Sequence, residues 1–95
     1  MQVAVRFAGP LRTLAGCQSQ LVTLPDEAVL RDLLHYLADV LPASFRVEVL
    51  TPLEEGHAPL ALLLVNGASL RYPQDLDRPL ANGDIVAFVP PMAGG

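Results

Sequence analysis

The residues best suited to chemistry are the last two, Gly94 and Gly95. Neither has a Cβ. A chain end of this kind can pass through a channel that excludes any larger residue, and its backbone takes conformations closed to other residues. What it presents is a free carboxylate. Before it stand the apolar run at 85–89, then Pro90-Pro91, then Met92 and Ala93. The apolar run reads as a strand. The prolines cannot donate ladder hydrogen bonds, and two in succession favour a stiff, extended exit from a sheet. Together these residues make an arm that holds a carboxylate away from the body of the protein. The competing reading is a frayed terminus, which most domains have.

No other set of residues offers comparable chemistry. Ser19, Ser44 and Ser69 with His35, His57 and the aspartates contain the types needed for a catalytic triad, but no G-x-S-x-G motif places them. Two isolated histidines and Cys17 do not make a metal-ligand spacing, so no metal site is expected. Cys17 reads as a small, partly buried structural residue. Glu54-Glu55 reads as a solvated acidic pair in a loop. No glycine-rich phosphate loop is present.

Charge and composition narrow the classes further. Ten acidic against six basic residues give a net charge of −4, which argues against a nucleic-acid partner. All six basic residues are arginines, so the chain has neither a Schiff-base lysine nor an internal isopeptide acceptor. No apolar run approaches the roughly 20 residues of a membrane span, so no membrane association is expected. The first residues read at once as a strand, without the basic and apolar blocks of a signal peptide. One cysteine permits no intrachain disulfide and suits a reducing cytoplasm.

These end residues need a scaffold, and 95 residues supply one modest core. Val3, Val5 and Phe7 alternate with polar or small residues, predicting a strand that Gly9-Pro10 stops. Residues 11–15 make a short helical turn closed by Gly16. A second strand is expected over 20–24. Leu30, Leu33, Leu34, Leu37 and Leu41 then mark one face of an amphipathic helix. Asp26 or Glu27 is expected to cap that helix, and Pro42 to end it. Residues 45–50 are ambiguous, with Phe45, Val47 and Val49 alternating, and 51–59 read as a loop. A buried strand is expected over 60–65, an Asn66-Gly67 turn, an edge strand over 68–72 ended by Pro73, and an Asn82-Gly83-Asp84 turn into the last strand. One main helix packed on one face of a mixed sheet is an α+β arrangement, consistent with a β-grasp in which the first and last strands are neighbours.

Three stretches carry a resemblance to a known family. Residues 7–16, Phe-Ala-Gly-Pro-Leu-Arg-Thr-Leu-Ala-Gly, resemble the aromatic, Leu-Arg and Leu-Ala-Gly segment of the MoaD/ThiS group of ubiquitin-like sulfur carriers. Val65-Asn66-Gly67 resembles that family's turn, and residues 80–95 resemble its Gly-Asp turn, final strand, Pro-Pro and Gly-Gly. The Pro-Pro exit is most like the molybdopterin-synthase small subunits. Ala28 stands where the family often has a capping threonine, and the 51–59 region is longer than in the shortest members.

The resemblance implies a β-grasp, ubiquitin-like domain over 1–91 and a flexible tail over 92–95. It implies a carrier that is not catalytic by itself. An E1-like adenylating enzyme, similar to MoeB or ThiF, would use ATP to activate Gly95. A sulfur donor would then displace AMP and leave a C-terminal thiocarboxylate, with Gly94 part of the same site. A MoaE-like large subunit of molybdopterin synthase would receive the sulfur for molybdenum cofactor biosynthesis. Cysteine, thiamine or tRNA thiolation, protein conjugation, and a binding module with an inert tail remain the alternatives. No permanently bound cofactor is implied. In the last strand Val86 and Phe88 are expected to face the helix, with Ile85, Ala87 and Val89 outward. The expected partner contacts are Val89, Pro90, Pro91, Met92, Ala93, Ala8 and Leu70, with Arg12 at the rim.

Overall fold

Period-two alternation and the leucine stripe each produce the element expected of them. The computed structural model describes residues 1–56, 61–71 and 74–91. In it, Val3, Val5 and Phe7 are buried along β1 (Gln2–Phe7). Next comes α1 (Leu11–Ala15), which Gly16 ends in the left-handed region at φ 78° while donating its N–H to the Arg12 carbonyl. After β2 (Ser19–Thr23), α2 (Leu30–Val40) buries Leu30, Leu33, Leu34 and Leu37. Leu41 takes an extended conformation ahead of Pro42, as the residue before proline must.

The start of α2 corrects the expected cap. Neither Asp26 nor Glu27 fills that role, because both precede the N-cap, Val29. A side chain must sit at the N-cap or in the first turn to reach the free N–H groups. Asp32 is so placed, and its Oδ2 accepts the Val29 N–H at 2.9 Å. Asp26 instead accepts from the Met1 α-ammonium at 3.1 Å.

The region after Pro42 is helical, which settles the ambiguity at 45–50 and overturns the loop expected from 51. It runs through α3 (Ala43–Phe45), a π-helical turn (Arg46–Leu50) and α4 (Thr51–Glu55). Phe45, Val49 and Leu53 recur every four residues and are fully buried. Val47, whose alternation hinted at a strand, is 61% exposed. Pro52 falls in the first turn of α4, where its missing N–H costs least, and the wider π turn directly precedes it, a frequent accommodation of a break in the hydrogen-bond ladder. Gly56 closes the helix at φ 75°. The helical layer therefore has a second part beside the one main helix expected.

Then follow β3 (Leu62–Val65), β4 (Ala68–Ser69), a 3-10 turn (Gln74–Asp77) and β5 (Ile85–Val89). The sheet order is β2-β1-β5-β3-β4. Among the described residues only β1 and β5 pair in parallel, bringing Phe7 beside Phe88, and the remaining pairs are antiparallel. This is the mixed-sheet α+β arrangement of a β-grasp. His57, the beginning of the strand expected from Leu60, the Tyr72-Pro73 end of the edge strand and the tail 92–95 lie outside the described residues.

Three rings tie the sheet to the helical layer. Phe7 and Phe88 stack at 5.5 Å, and Phe45 meets each of them edge-on at 5.3 Å. Phe88→Ala removes the ring shared by β5 and both partners. It is expected to cost about 3–5 kcal/mol, measured by equilibrium unfolding in denaturant.

Candidate functional site

The last strand is held at both ends, and the tail begins where it stops. At its start, two turns distant in sequence lock together. Asn66 donates from Nδ2 to Asp84 Oδ1 at 2.9 Å, and its Oδ1 accepts the Ile85 N–H at 2.9 Å. The Asn66 backbone N–H donates to the Ile85 carbonyl at 2.8 Å. Asp84 also accepts the Ala81 N–H at 2.8 Å. Asn66 sits at φ 52° and Gly67 at φ 86°, the left-handed pair of a tight hairpin. At the far end, Ala8 donates its N–H to the Phe88 carbonyl at 3.0 Å. Gly9, at φ 57°, lies against Pro90: a Cβ built on it would stand 3.5 Å from the Pro90 Cγ. That is ordinary van der Waals contact, so the backbone conformation, not space, asks for glycine there.

Strand alternation then makes an apolar outer face. Val86 and Phe88 are buried, while Ile85 is exposed and Ala87 and Val89 are half-buried, as expected. Ala4 lies between Leu21 and Ile85 in the register, Leu64 beside Ala87, and Leu62 beside Val89. Leu21 is 64% exposed. Such a surface continuous with the tail root suits a protein partner.

Of the expected contact residues, Val89, Pro90 and Ala8 are half-buried and come together at the root, and Pro91 is exposed. Leu70 does not join them. It is 9% exposed, belongs to the core cluster and donates its N–H to the Leu63 carbonyl just after β4, the edge strand beyond β3. Arg12 is exposed and lines an open cavity of about 440 Å³ beside Ala8. Met92, Ala93, Gly94 and Gly95 lie outside the described residues. The sequence reading missed Arg6, which lines the same cavity. Its signal was alternation alone, which places it outward on β1 without saying what it faces.

The other polar candidates stay apart. His35 Nε2 lies 2.7 Å from Glu54 Oε1, linking α2 to α4, so Glu54 belongs to a helix and not to a solvated loop. No hydrogen bond joins a serine to His35 among the described residues, and no cluster of His, Cys, Asp and Glu able to hold a metal occurs there. Cys17 is half-buried, with Sγ 3.9 Å from the Ala15 carbonyl. Among the described residues, the two groups displaced in titration lie outside the cavity lining. Asp75 is held below the usual carboxylate range by the Arg71 backbone N–H and then by its guanidinium, and Arg31 is raised by its hydrogen bond to Asp77. No described helix is long and apolar enough to cross a membrane.

A family model, the ThiS family, matches residues 5–95. No curated protein matches the chain in sequence. Among solved structures, a candidate molybdopterin converting factor subunit 1 from Pyrococcus furiosus is 29% identical over 97% of this chain and 99% of its own, with a TM-score of 0.78. The small archaeal modifier protein 1 of Methanosarcina acetivorans is 26% identical, covering 99% and 96%, at 0.70. Urm1 of Trypanosoma brucei is 24% identical, covering 99% and 95%, at 0.74.

The clasp at the start of β5 makes a separate prediction. Asn66→Ala removes both side-chain bonds and leaves alanine at a positive φ. It is expected to cost about 1–3 kcal/mol and to speed exchange of the Ile85 amide, read by hydrogen exchange, while the β1–β2 amides keep their protection.

Proposed function

The chain belongs to the ThiS family, and from that premise we propose that it is a sulfur carrier serving as the small subunit of a molybdopterin synthase. The observation that carries this reading is the family match running through Gly95, so that it includes the Gly-Gly end. The 29% identity to the molybdopterin converting factor chain and the Pro-Pro exit favour this pathway over others.

A carboxylate is a poor electrophile and must be activated before it can accept sulfur. An E1-like enzyme joins the Gly95 carboxylate to the α-phosphate of ATP, and pyrophosphate leaves. Sulfide-level sulfur attacks the acyl adenylate carbonyl, the C–O bond to AMP breaks, AMP leaves, and a thiocarboxylate remains. A persulfide donor would instead give an acyl disulfide that a second thiol must cleave, forming a disulfide with the donor. In the larger synthase subunit that group delivers sulfur to the dithiolene without releasing free sulfide. The chain's own contribution is geometric. The clasped strand fixes the root, Pro90-Pro91 sets the direction of exit, and the outer face docks the partner. The reaction takes place in a reducing cytoplasm, where Cys17 stays a thiol.

The similarity to a small archaeal modifier protein supports a second reading, attachment of the activated terminus to an amine on another protein. The same activation serves both. They separate downstream: thiocarboxylated chain mixed with the large subunit and the sulfur-free pterin precursor yields a dithiolene in the first, and adducts on other proteins appear in the second.

Two variants test the site. Deleting Gly95, or appending one residue after it, is expected to abolish pyrophosphate exchange with the activating enzyme while the melting temperature is unchanged. A misplacement of about 1 Å already costs about 100-fold in rate. Exchange that runs equally well on the extended chain shows that the terminus is not the reactive group. Val89→Asp, by contrast, is expected to keep the fold and lose affinity for the partner in a calorimetric titration, since an interface there must desolvate the new carboxylate.

A further inference from the structure

The cavity beside the tail root is lined by two arginines. It opens where β1, β2 and β5 meet α1, and its polar lining is Arg6, Arg12, Gln18 and Ser19. Ala8 and Ala87 contribute to its apolar wall. Arg6 stands in the register between Ser19 on β2 and Ala87 on β5, and Arg12 comes from the beginning of α1. Two arginines, a glutamine and a serine therefore share one opening that no acidic residue among the described ones lines. The chain as a whole is acidic, at −4. Arg31 and Arg71 are each paired, with Asp77 and Asp75. The side chains of Arg6 and Arg12 make no hydrogen bond or ion pair with the described residues.

Two cations facing one cavity repel each other when it is empty, and one anion between them removes that cost. The guanidinium fork matches a carboxylate best, through paired N–H···O bonds. Location narrows the source of that carboxylate. The cavity adjoins Ala8, whose N–H holds the Phe88 carbonyl, and Ala87, part of the apolar outer face. It therefore falls inside the footprint of any protein that covers that face and takes the tail. It is open to solvent and larger than one side chain, so a free anion there would have to compete with water, whereas a carboxylate carried on a covering protein arrives with its other contacts already made.

We propose that this cavity receives an aspartate or glutamate side chain of the adenylating partner, clamped between Arg6 and Arg12. The inference rests on the carrier reading and extends it by naming the polar contact that sets the docking register. Apolar contacts across the outer face tolerate sliding, whereas a carboxylate seated in a fixed two-arginine clamp does not. The register so fixed decides where the root of the tail meets the partner's channel.

The test is calorimetric binding of the chain to the adenylating enzyme of the same organism, using wild type, Arg6→Ala, Arg12→Ala, the double variant and Arg6→Lys, each first shown to melt as wild type does. Each single alanine variant is expected to weaken binding about tenfold. The double variant is expected to be little worse than either single one, because both arginines act on one carboxylate. The salt dependence of binding should shrink in all three, and Arg6→Lys should recover part of the loss. Variants that bind like wild type overturn the proposal, and so do single losses that simply multiply, which describe two independent surface charges. Both outcomes leave the carrier reading standing, provided that the Gly95 deletion still stops exchange. If wild type itself neither binds nor exchanges pyrophosphate, both readings fall together.

Discussion

Phe88 stacks on Phe7 and meets the edge of Phe45, and this contact fixes the strand from whose end Pro90 and Pro91 continue. Phe7 comes from the first strand, Phe45 from the helical layer and Phe88 from the last strand. Their packing joins the two ends of the chain and pins both against the helices. Aromatic pairs of this kind contribute about 0.5–1.5 kcal/mol beyond the area they bury. Because β1 and β5 run in parallel, the end of the first strand lies beside the end of the last. Ala8 can then hold the Phe88 carbonyl, and Gly9 can lie against Pro90. A terminal arm gains directional precision only when its root is rigid, and this root is fixed within two residues of the prolines.

The same alternation that buries Phe88 turns Ile85, Ala87 and Val89 outward. One strand thus serves two purposes. Its inner residues hold the domain together, and its outer residues form the centre of an apolar face leading to the tail. The clasp between Asn66 and Asp84 protects the other end of that strand, keeping its register over the length of the apolar outer face. A one-residue slip would exchange the two faces, burying Val89 and exposing Phe88, so the clasp guards the outer face as well as the core.

Much of this was legible in the sequence, and the exceptions have physical causes. The leucine stripe of α2, the alternation of β1 and β5 and the Asn66-Gly67 turn are local patterns, and local patterns survive in a single sequence. The helical stretch after Pro42 was obscured because Phe45, Val47 and Val49 fit a strand as well as they fit nothing else. The spacing of Phe45, Val49 and Leu53 was the better guide, but Pro52 and Gly56 broke its appearance. The cap by Asp32 was hidden by two acids placed just ahead of it. Contacts across long separations, such as Asn66 with Asp84 or Arg6 with the Arg12 cavity, leave no local signal. At the candidate site Gly94 and Gly95 stand out in the sequence as the proposed reactive end, while the root beneath them and the surface beside it are visible only in the structure.

The central claim is that the reactive group of this protein is the carboxylate of Gly95. The most direct measurement is the intact and fragment mass of the wild-type chain after incubation with its adenylating enzyme, ATP and a sulfur source. The account predicts the exchange of one oxygen for one sulfur, located by fragmentation at Gly95, in an amount that depends on ATP. Sulfur found on Cys17 with an unchanged terminus, or no mass change while the enzyme consumes ATP, would contradict it.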